Sequence, residues 1–150
     1  MDGLREQLSG HERIGLDTSI FIYHFEAHPK YQPLAETILT GVAAGNWQAV
    51  TSAFTLMELT VQPWRENRPN VARGYEALLA NFPNLLIADV NRDVARTAAR
   101  LRAQYNLRPA DALQIGTAIT HGATAWVGND RMHLTVSEEV DVILLVDGTK

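Results

Sequence analysis

Five short, almost wholly apolar runs recur along the chain, and longer segments with helical periodicity separate them. The runs cover residues 14–17, 47–51, 85–88, 123–127 and 142–146. Apolar and polar residues do not alternate within these runs, which is typical of strands buried on both faces of a parallel sheet. The pattern therefore predicts an α/β fold, with a five-stranded parallel sheet and helices on both of its faces.

The segments between the runs carry apolar residues at helical spacing. They predict helices over residues 31–44, 54–61, 69–80, 91–105 and 109–121, with Pro63 ending the second of them. The last of these segments is apolar nearly all round, so we expect it to lie in the centre of the fold. Residues 1–12 are predicted to be a short polar extension, and residues 13–150 a single domain.

Composition narrows the class of protein. None of the 150 residues is a cysteine, which excludes disulfides and zinc–thiolate sites. No apolar run is long enough to span a bilayer, and the first twelve residues carry no apolar signal-peptide core. We therefore expect a cytoplasmic protein that does not bind membranes. The formal net charge of −4 argues against nucleic-acid binding through overall positive charge alone.

Acidic residues stand where the predicted strands end and the helices begin. Asp17 closes the first apolar run, and Glu58 lies in the helix after the second. Asp111 lies in the first turn of the central helix, and Asp130 follows the fourth run. The positions of the three aspartates also have local explanations, because an aspartate suits a helix N-terminus or a turn. Glu58 is flanked by apolar residues, where an unpaired carboxylate is costly to bury.

The four carboxylates together indicate a metal site more strongly than any one of them does alone. Ligands of parallel α/β sheets bind beyond the carboxyl ends of the strands, so the four are expected to meet there. Two carboxylates about 4 Å apart repel by about 4 kcal/mol at an effective dielectric constant of 20. A Mg²⁺ or Mn²⁺ ion would relieve this repulsion, and no lysine is near them in the sequence to do so. The hypothesis requires that the four side chains share one pocket and that no arginine neutralises any of them.

Four segments resemble the motifs of the PIN-domain superfamily, and most closely those of its VapC-like toxins. They are Leu16-Asp17-Thr18-Ser19, Leu56-Met57-Glu58-Leu59, Arg108-Pro109-Ala110-Asp111-Ala112-Leu113 and Gly128-Asn129-Asp130, in the order found in the family. The resemblance implies a Rossmann-like five-stranded sheet and endonucleolytic cleavage of RNA with Mg²⁺ or Mn²⁺. It carries over Asp17, Glu58, Asp111 and Asp130 as the catalytic and metal-binding acids.

The resemblance also implies supporting residues and partners. Thr18, Ser19 and Asn129 would orient the metal-binding carboxylates. RNA would be the substrate, an antitoxin protein would cover the active site, and the toxin would form a homodimer. The sequence departs from the family where Gly128 replaces a usual Thr or Ser. Residues 131–133 also stand where some relatives carry a further acid, which bears on whether a second metal ion binds.

The residues leave two other functions open and argue against two more, a receiver domain and a phosphatase. A PIN-like fold could serve as a non-catalytic interaction module, and the nuclease could process RNA as a housekeeping enzyme rather than act as a toxin. A phosphoacceptor receiver domain needs a lysine after the last strand, where residues 147–149 read Asp-Gly-Thr. An aspartate-nucleophile phosphatase needs a second aspartate two residues after Asp17, where Ser19 stands instead.

Three further features concern the surface. Arg92, Arg96 and Arg100 recur every four residues and form a basic stripe, which suits RNA phosphates or an acidic partner but is more often simply a solvated helix face. His133 is a weak candidate for a substrate contact. Residues 21–25 carry more apolar surface than one helix face can bury, which predicts an interface with a second copy or a partner helix.

Overall fold

The computed structural model describes residues 2–145 of the chain. Its strands are β1 (Arg13–Leu16), β2 (Gln48–Ser52), β3 (Leu85–Ala88), β4 (Ala125–Gly128) and β5 (Asp141–Leu144). All neighbouring strands pair in parallel, in the order β3-β2-β1-β4-β5. The predicted five-stranded parallel sheet is confirmed. The last residue of the fifth predicted run, Val146, lies outside the described residues.

The described residues also form seven α-helices and one 3₁₀ helix. They are α1 (Asp2–Leu8), α2 (Thr18–Phe25), α3 (Gln32–Ala43), α4 (Ala53–Arg65), α5 (Pro69–Ala80), α6 (Arg92–Tyr105), α7 (Pro109–Thr120) and the 3₁₀ helix Arg131–Val136. The predicted end of α4 before Pro63 is wrong. Pro63 lies in the last turn, so the helix forgoes one backbone hydrogen bond there and continues to Arg65. Within residues 2–145, no helix is both long and apolar enough to cross a membrane.

Helices cover both faces of the sheet, as predicted for an α/β fold, and each face has its own apolar core. Helices α1 to α5 contribute to the core that contains Ile14 and Leu16 of β1. Helices α6 and α7 and the 3₁₀ helix enclose the core around Trp126 of β4. Gly15 lets α7 approach β1 closely, since a Cβ atom there would lie 2.5 Å from the Ala118 Cβ. This packing holds the last turns of α7 against β1.

The predicted polar extension is a helix docked on the core. Leu4 and Leu8 of α1 are fully buried among the residues of the first apolar core. The segment after α1 is fixed by His11, whose ring nitrogens lie 2.7 Å from the Thr124 hydroxyl and 3.0 Å from an Asp141 carboxylate oxygen. Two leucines in an otherwise polar stretch are too weak a pattern to predict docking. They share one face of the helix only because they are four residues apart.

The apolar surface of residues 21–25 is covered mostly within the chain. Phe21 is fully buried, and the ring of Phe25 stacks on Tyr75 of α5 with 5.3 Å between ring centroids. Tyr23 packs against Tyr31 with a centroid separation of 5.0 Å. Contacts with Tyr31 and Tyr75 of the same chain therefore cover part of this surface, and the predicted interface with a second copy or a partner helix stays a prediction.

The basic stripe on α6 is partly neutralised by acidic side chains. Arg96 pairs with Asp93 on the same helix. Arg100 forms a two-pronged ion pair with Glu139, with both N···O distances at 2.9 Å, and the Tyr105 hydroxyl donates to the same carboxylate at 2.8 Å. Hydrogen bonds from Arg100 and Tyr105 lower the pKa of the Glu139 carboxyl. This cluster ties α6 to the segment that leads into β5.

We expect Glu139→Gln to lower the free energy of unfolding by about 1 kcal/mol at about pH 7, because it removes a partly exposed ion pair. A carboxyl whose pKa is lowered by folding stabilises the protein above its ordinary pKa of 4.5, and that contribution is lost as the pH falls further. Urea denaturation at about pH 7 and about pH 3.5 should therefore show the difference shrinking in acid. Glu76→Gln, an exposed change on α5, is the control. An equal deficit at both pH values would contradict the role of the charge.

Candidate functional site

The four predicted acids line one cleft at the carboxyl edge of the sheet. The cleft has a volume of about 420 Å³ and is lined by Asp17, Thr18, Ser19, Ile22, Glu58, Val61, Arg108, Asp111, Asp130 and His133. Asp17 and Asp130 follow the neighbouring strands β1 and β4, Glu58 lies in the second turn of α4, and Asp111 lies in the first turn of α7. Parallel strands end at the same edge, so residues far apart in sequence meet there.

The Asp17 carboxyl is largely withdrawn from solvent. Burial raises the pKa of its carboxyl above the ordinary value, and nearby Glu58 adds to the rise, while His133 and hydrogen bonds from residues 18 and 19 oppose it. The Ser19 hydroxyl donates to Asp17 Oδ2 at 3.1 Å. Gly128 makes room for this side chain, because a Cβ atom there would lie 3.2 Å from the Asp17 Cβ. A cation placed beside Asp17 would therefore favour its ionised form over the protonated one.

Glu58 is held by a buried polar network. The Thr18 hydroxyl donates to Glu58 Oε1 at 2.6 Å, and the Gln114 amide of α7 donates to the same oxygen at 2.9 Å. Gln114 is only 3% exposed and also donates to the hydroxyls of Thr18 and Thr55. A further bond of 2.7 Å joins Thr55 to Thr51 of β2. The network fixes one oxygen of the Glu58 carboxylate at the floor of the cleft.

Gln114 is a residue of the site that sequence reasoning missed. It stands in a helix that is otherwise apolar nearly all round, and that surround is the one available signal. An amide buried there needs hydrogen-bond partners, and those partners come from α2 and α4, which are distant in sequence.

Gln114→Met should lower the free energy of unfolding by about 1–3 kcal/mol, because the change keeps the side-chain volume but leaves buried hydroxyls without a donor. Denaturant unfolding of the variant beside wild type measures this effect. Gln62→Met, an exposed change on α4, should stay within about 0.5 kcal/mol of wild type. A Gln114 variant as stable as wild type would show that the network does not hold the cleft together.

His133 orients Asp111. The ring is almost fully buried, and its Nδ1 lies 3.0 Å from the indole Nε1 of Trp126. Since the indole N–H can only donate, Nδ1 accepts, and the ring proton sits on Nε2. Nε2 therefore donates to Asp111 Oδ1 across 3.1 Å. The hydrogen bond from His133, helped by Arg108, lowers the pKa of the Asp111 carboxyl against the effect of burial.

Arg108 lies across two of the four acids. Its Nε donates to Asp111 Oδ2 at 2.6 Å, and its Nη2 donates to Asp130 Oδ2 at 2.8 Å. The strict requirement that no arginine neutralise the acids is therefore not met. The Arg108 side chain is 67% exposed, and ion pairs in that setting are weakened by the surrounding water. Four carboxylates against one guanidinium leave the cleft with an excess of negative charge.

The three residues predicted to orient the carboxylates differ in what they contact. Thr18 and Ser19 bond to carboxylates of the cleft, at Glu58 and Asp17 respectively. The Asn129 amide donates to the Tyr23 hydroxyl at 3.1 Å. Asn129 is thus placed beside α2, and among the described residues it is not one of those that line the cleft.

The donor set fits a hard divalent ion. Ligand atoms of Asp111, Asp130 and His133 lie within 4.8 Å of one another. The His133 nitrogen that faces this group carries the ring proton, so the histidine serves as an orienting partner rather than a ligand. Carboxylate oxygens are the ligands that Mg²⁺ and Mn²⁺ prefer.

Comparison with solved structures identifies the fold. A chain of the VapBC2 complex from Rickettsia felis, bound to a DNA fragment from its promoter, is 18% identical and superposes with a TM-score of 0.66, covering 88% of this chain and 98% of that one. A chain of the DNA-bound VapBC complex from Salmonella typhimurium gives 18% identity, a TM-score of 0.66, and coverage of 89% and 98%. A toxin–antitoxin complex from Klebsiella pneumoniae gives 20% identity, a TM-score of 0.61, and coverage of 88% and 97%.

Sequence comparison gives the family. No curated protein matches the chain. The family model for the PIN domain matches residues 14–139, which include all four acids and the strand-forming segments up to β4. The chain belongs to the PIN domain family.

Proposed function

We propose that this chain is a Mg²⁺- or Mn²⁺-dependent endoribonuclease that acts as the toxin of a toxin–antitoxin pair. The family and fold support the coarser statement, because PIN domain toxins are generally nucleases. One observation carries the finer proposal: Asp17, Glu58, Asp111 and Asp130 line the same cleft with a single guanidinium between two of them. A non-catalytic interaction module has no need to keep mutually repelling carboxylates together.

The residues of the cleft have distinct tasks in this proposal. Asp17, Glu58, Asp111 and Asp130 would hold the ion. A bound Mg²⁺ or Mn²⁺ ion supplies activation of water and charge stabilisation for in-line displacement at phosphorus. Gln114 and Thr18 hold the Glu58 carboxylate through its Oε1. His133 holds the Asp111 carboxylate through its Oδ1, so both carboxylates are oriented before an ion arrives.

The direct test of this activity uses structured RNA, Mn²⁺ and the purified chain. We expect cleavage with Mn²⁺, its suppression by EDTA, and no cleavage of DNA of the same sequence. Cleavage of RNA that persists in EDTA would contradict metal dependence. Equal cleavage of the DNA would contradict the assignment of RNA as substrate.

An antitoxin is the proposed protein partner, and it would cover the cleft from the side of α4. Met57, Val61 and Trp64 stand on one face of that helix and are 54%, 38% and 55% exposed. Val61 also lines the cleft, so this apolar face continues directly into the candidate site. The solved structures with the same fold are toxin–antitoxin complexes. We also propose that the chain forms a homodimer and that it acts in the cytoplasm.

A further inference from the structure

Every side-chain oxygen of Asp111 and Asp130 already has a hydrogen-bond donor. Asp111 Oδ1 accepts from His133 Nε2, and Asp130 Oδ1 accepts from the Met132 backbone N–H at 2.9 Å. The two Oδ2 atoms accept from Nε and Nη2 of the same Arg108 guanidinium, at 2.6 and 2.8 Å. The Arg108 guanidinium bridges the two Oδ2 atoms, so a cation that binds both of these oxygens would have to take its place.

The four bonds differ in how firmly they are held. His133 is almost fully buried and is fixed from behind by Trp126. The Met132 N–H belongs to the backbone of the 3₁₀ helix and cannot turn away while that helix persists. The Arg108 side chain projects from the start of α7 and is 67% exposed, so water can replace its contacts. The two bonds from Arg108 are therefore the ones that an entering ion can displace most readily.

We propose that Arg108 and the divalent ion compete for Oδ2 of Asp111 and Oδ2 of Asp130, so that Arg108 sets the metal concentration at which the site loads. The proposal rests on the proposed metal-dependent function. The guanidinium spans both aspartates and supplies the positive charge that the cluster otherwise lacks. When the ion takes the two oxygens, the arginine is released toward solvent. Arg108 thus lowers the affinity of the site for the metal while keeping the metal-free cleft stable.

The test is a calorimetric titration of the full chain with MnCl₂, comparing wild type with Arg108→Gln. We expect the variant to bind Mn²⁺ about tenfold more tightly, because the ion no longer has to displace a two-pronged partner. Arg96→Gln is the matched control, since it removes one positive charge from an exposed ion pair on α6, away from the cleft lining. We expect its affinity to stay within about twofold of wild type. Arg108→Lys should give an intermediate affinity, because an ammonium group lacks the fork that spans both aspartates.

Any other outcome contradicts the proposed competition between Arg108 and the divalent ion. Equal or weaker Mn²⁺ binding by Arg108→Gln, in a protein with the thermal unfolding profile of a folded chain, contradicts it. An equal gain in Arg96→Gln would show that overall charge, not Arg108, controls affinity. Should Arg108→Gln not fold, a Lys variant that binds no tighter than wild type has the same meaning. These three results leave the proposed nuclease intact if wild type still binds Mn²⁺ and cleaves RNA. Absence of Mn²⁺ binding together with absence of cleavage instead rejects the proposed function and the inference with it.

Discussion

Asp17→Asn and Asp111→Asn should each lower Mn²⁺-dependent RNA cleavage at least about 100-fold. Each change replaces a charged oxygen donor by a neutral amide of the same shape. The amide oxygen introduced by Asp17→Asn can still accept from the Ser19 hydroxyl, so the expected cause of the loss is charge rather than local structure. The measurement is the initial rate of cleavage of a structured RNA at fixed Mn²⁺. Asp89→Asn is the control, because Asp89 also follows a strand but is exposed and outside the cleft lining.

The Asp17 substitution also separates loss of function from loss of fold. Burial raises the pKa of the Asp17 carboxyl, so its ionised form costs stability at pH values above the folded-state pKa. That cost disappears as the pH falls toward the ordinary value of 3.8. Without metal, Asp17→Asn should therefore be at least as stable as wild type at about pH 7, with the difference closing in acid. Cleavage that survives both substitutions would reject the assigned site.

Leu8→Ala should lower the free energy of unfolding by about 3 kcal/mol, because it removes a fully buried side chain and leaves a cavity between α1 and the core. Urea denaturation at neutral pH measures the change. Gln7→Ala, one position earlier on the exposed face of α1, should stay within about 0.5 kcal/mol of wild type. If Leu8→Ala also stayed within that margin, α1 would be a dispensable appendage, as the polar pattern of residues 1–12 suggests.

The strands and most helices can be predicted because their signals are local. Continuous apolar runs identify buried parallel strands, and a parallel sheet brings the residues after its strands to one edge. That reasoning places Asp17 and Asp130 at one edge of the sheet, whereas Glu58 and Asp111 lie in helices and joined the set through the resemblance to the PIN motifs. Helix α1 cannot be predicted in this way, because two leucines among polar residues give almost no periodic signal.

The contacts that shape the cleft cannot be predicted because they join distant segments. Arg108 is three residues from Asp111, but its second partner, Asp130, is on the far side of α7 and β4 in sequence. Gln114 finds its partners on α2 and α4. The size and apolar character of Trp64 favour a packed interior position, yet it is 55% exposed, since its helix turns that face toward solvent. Only the folded arrangement decides which polar groups meet.

The most direct test of the central claim is the anomalous difference density of a crystal of this protein soaked in MnCl₂. The account predicts a peak in the cleft at coordination distance, roughly 2.1 Å, from carboxylate oxygens of the four acids, with Arg108 turned away from Asp111 and Asp130. A cleft without a peak, with both aspartates still bonded to Arg108 at saturating Mn²⁺, would contradict it.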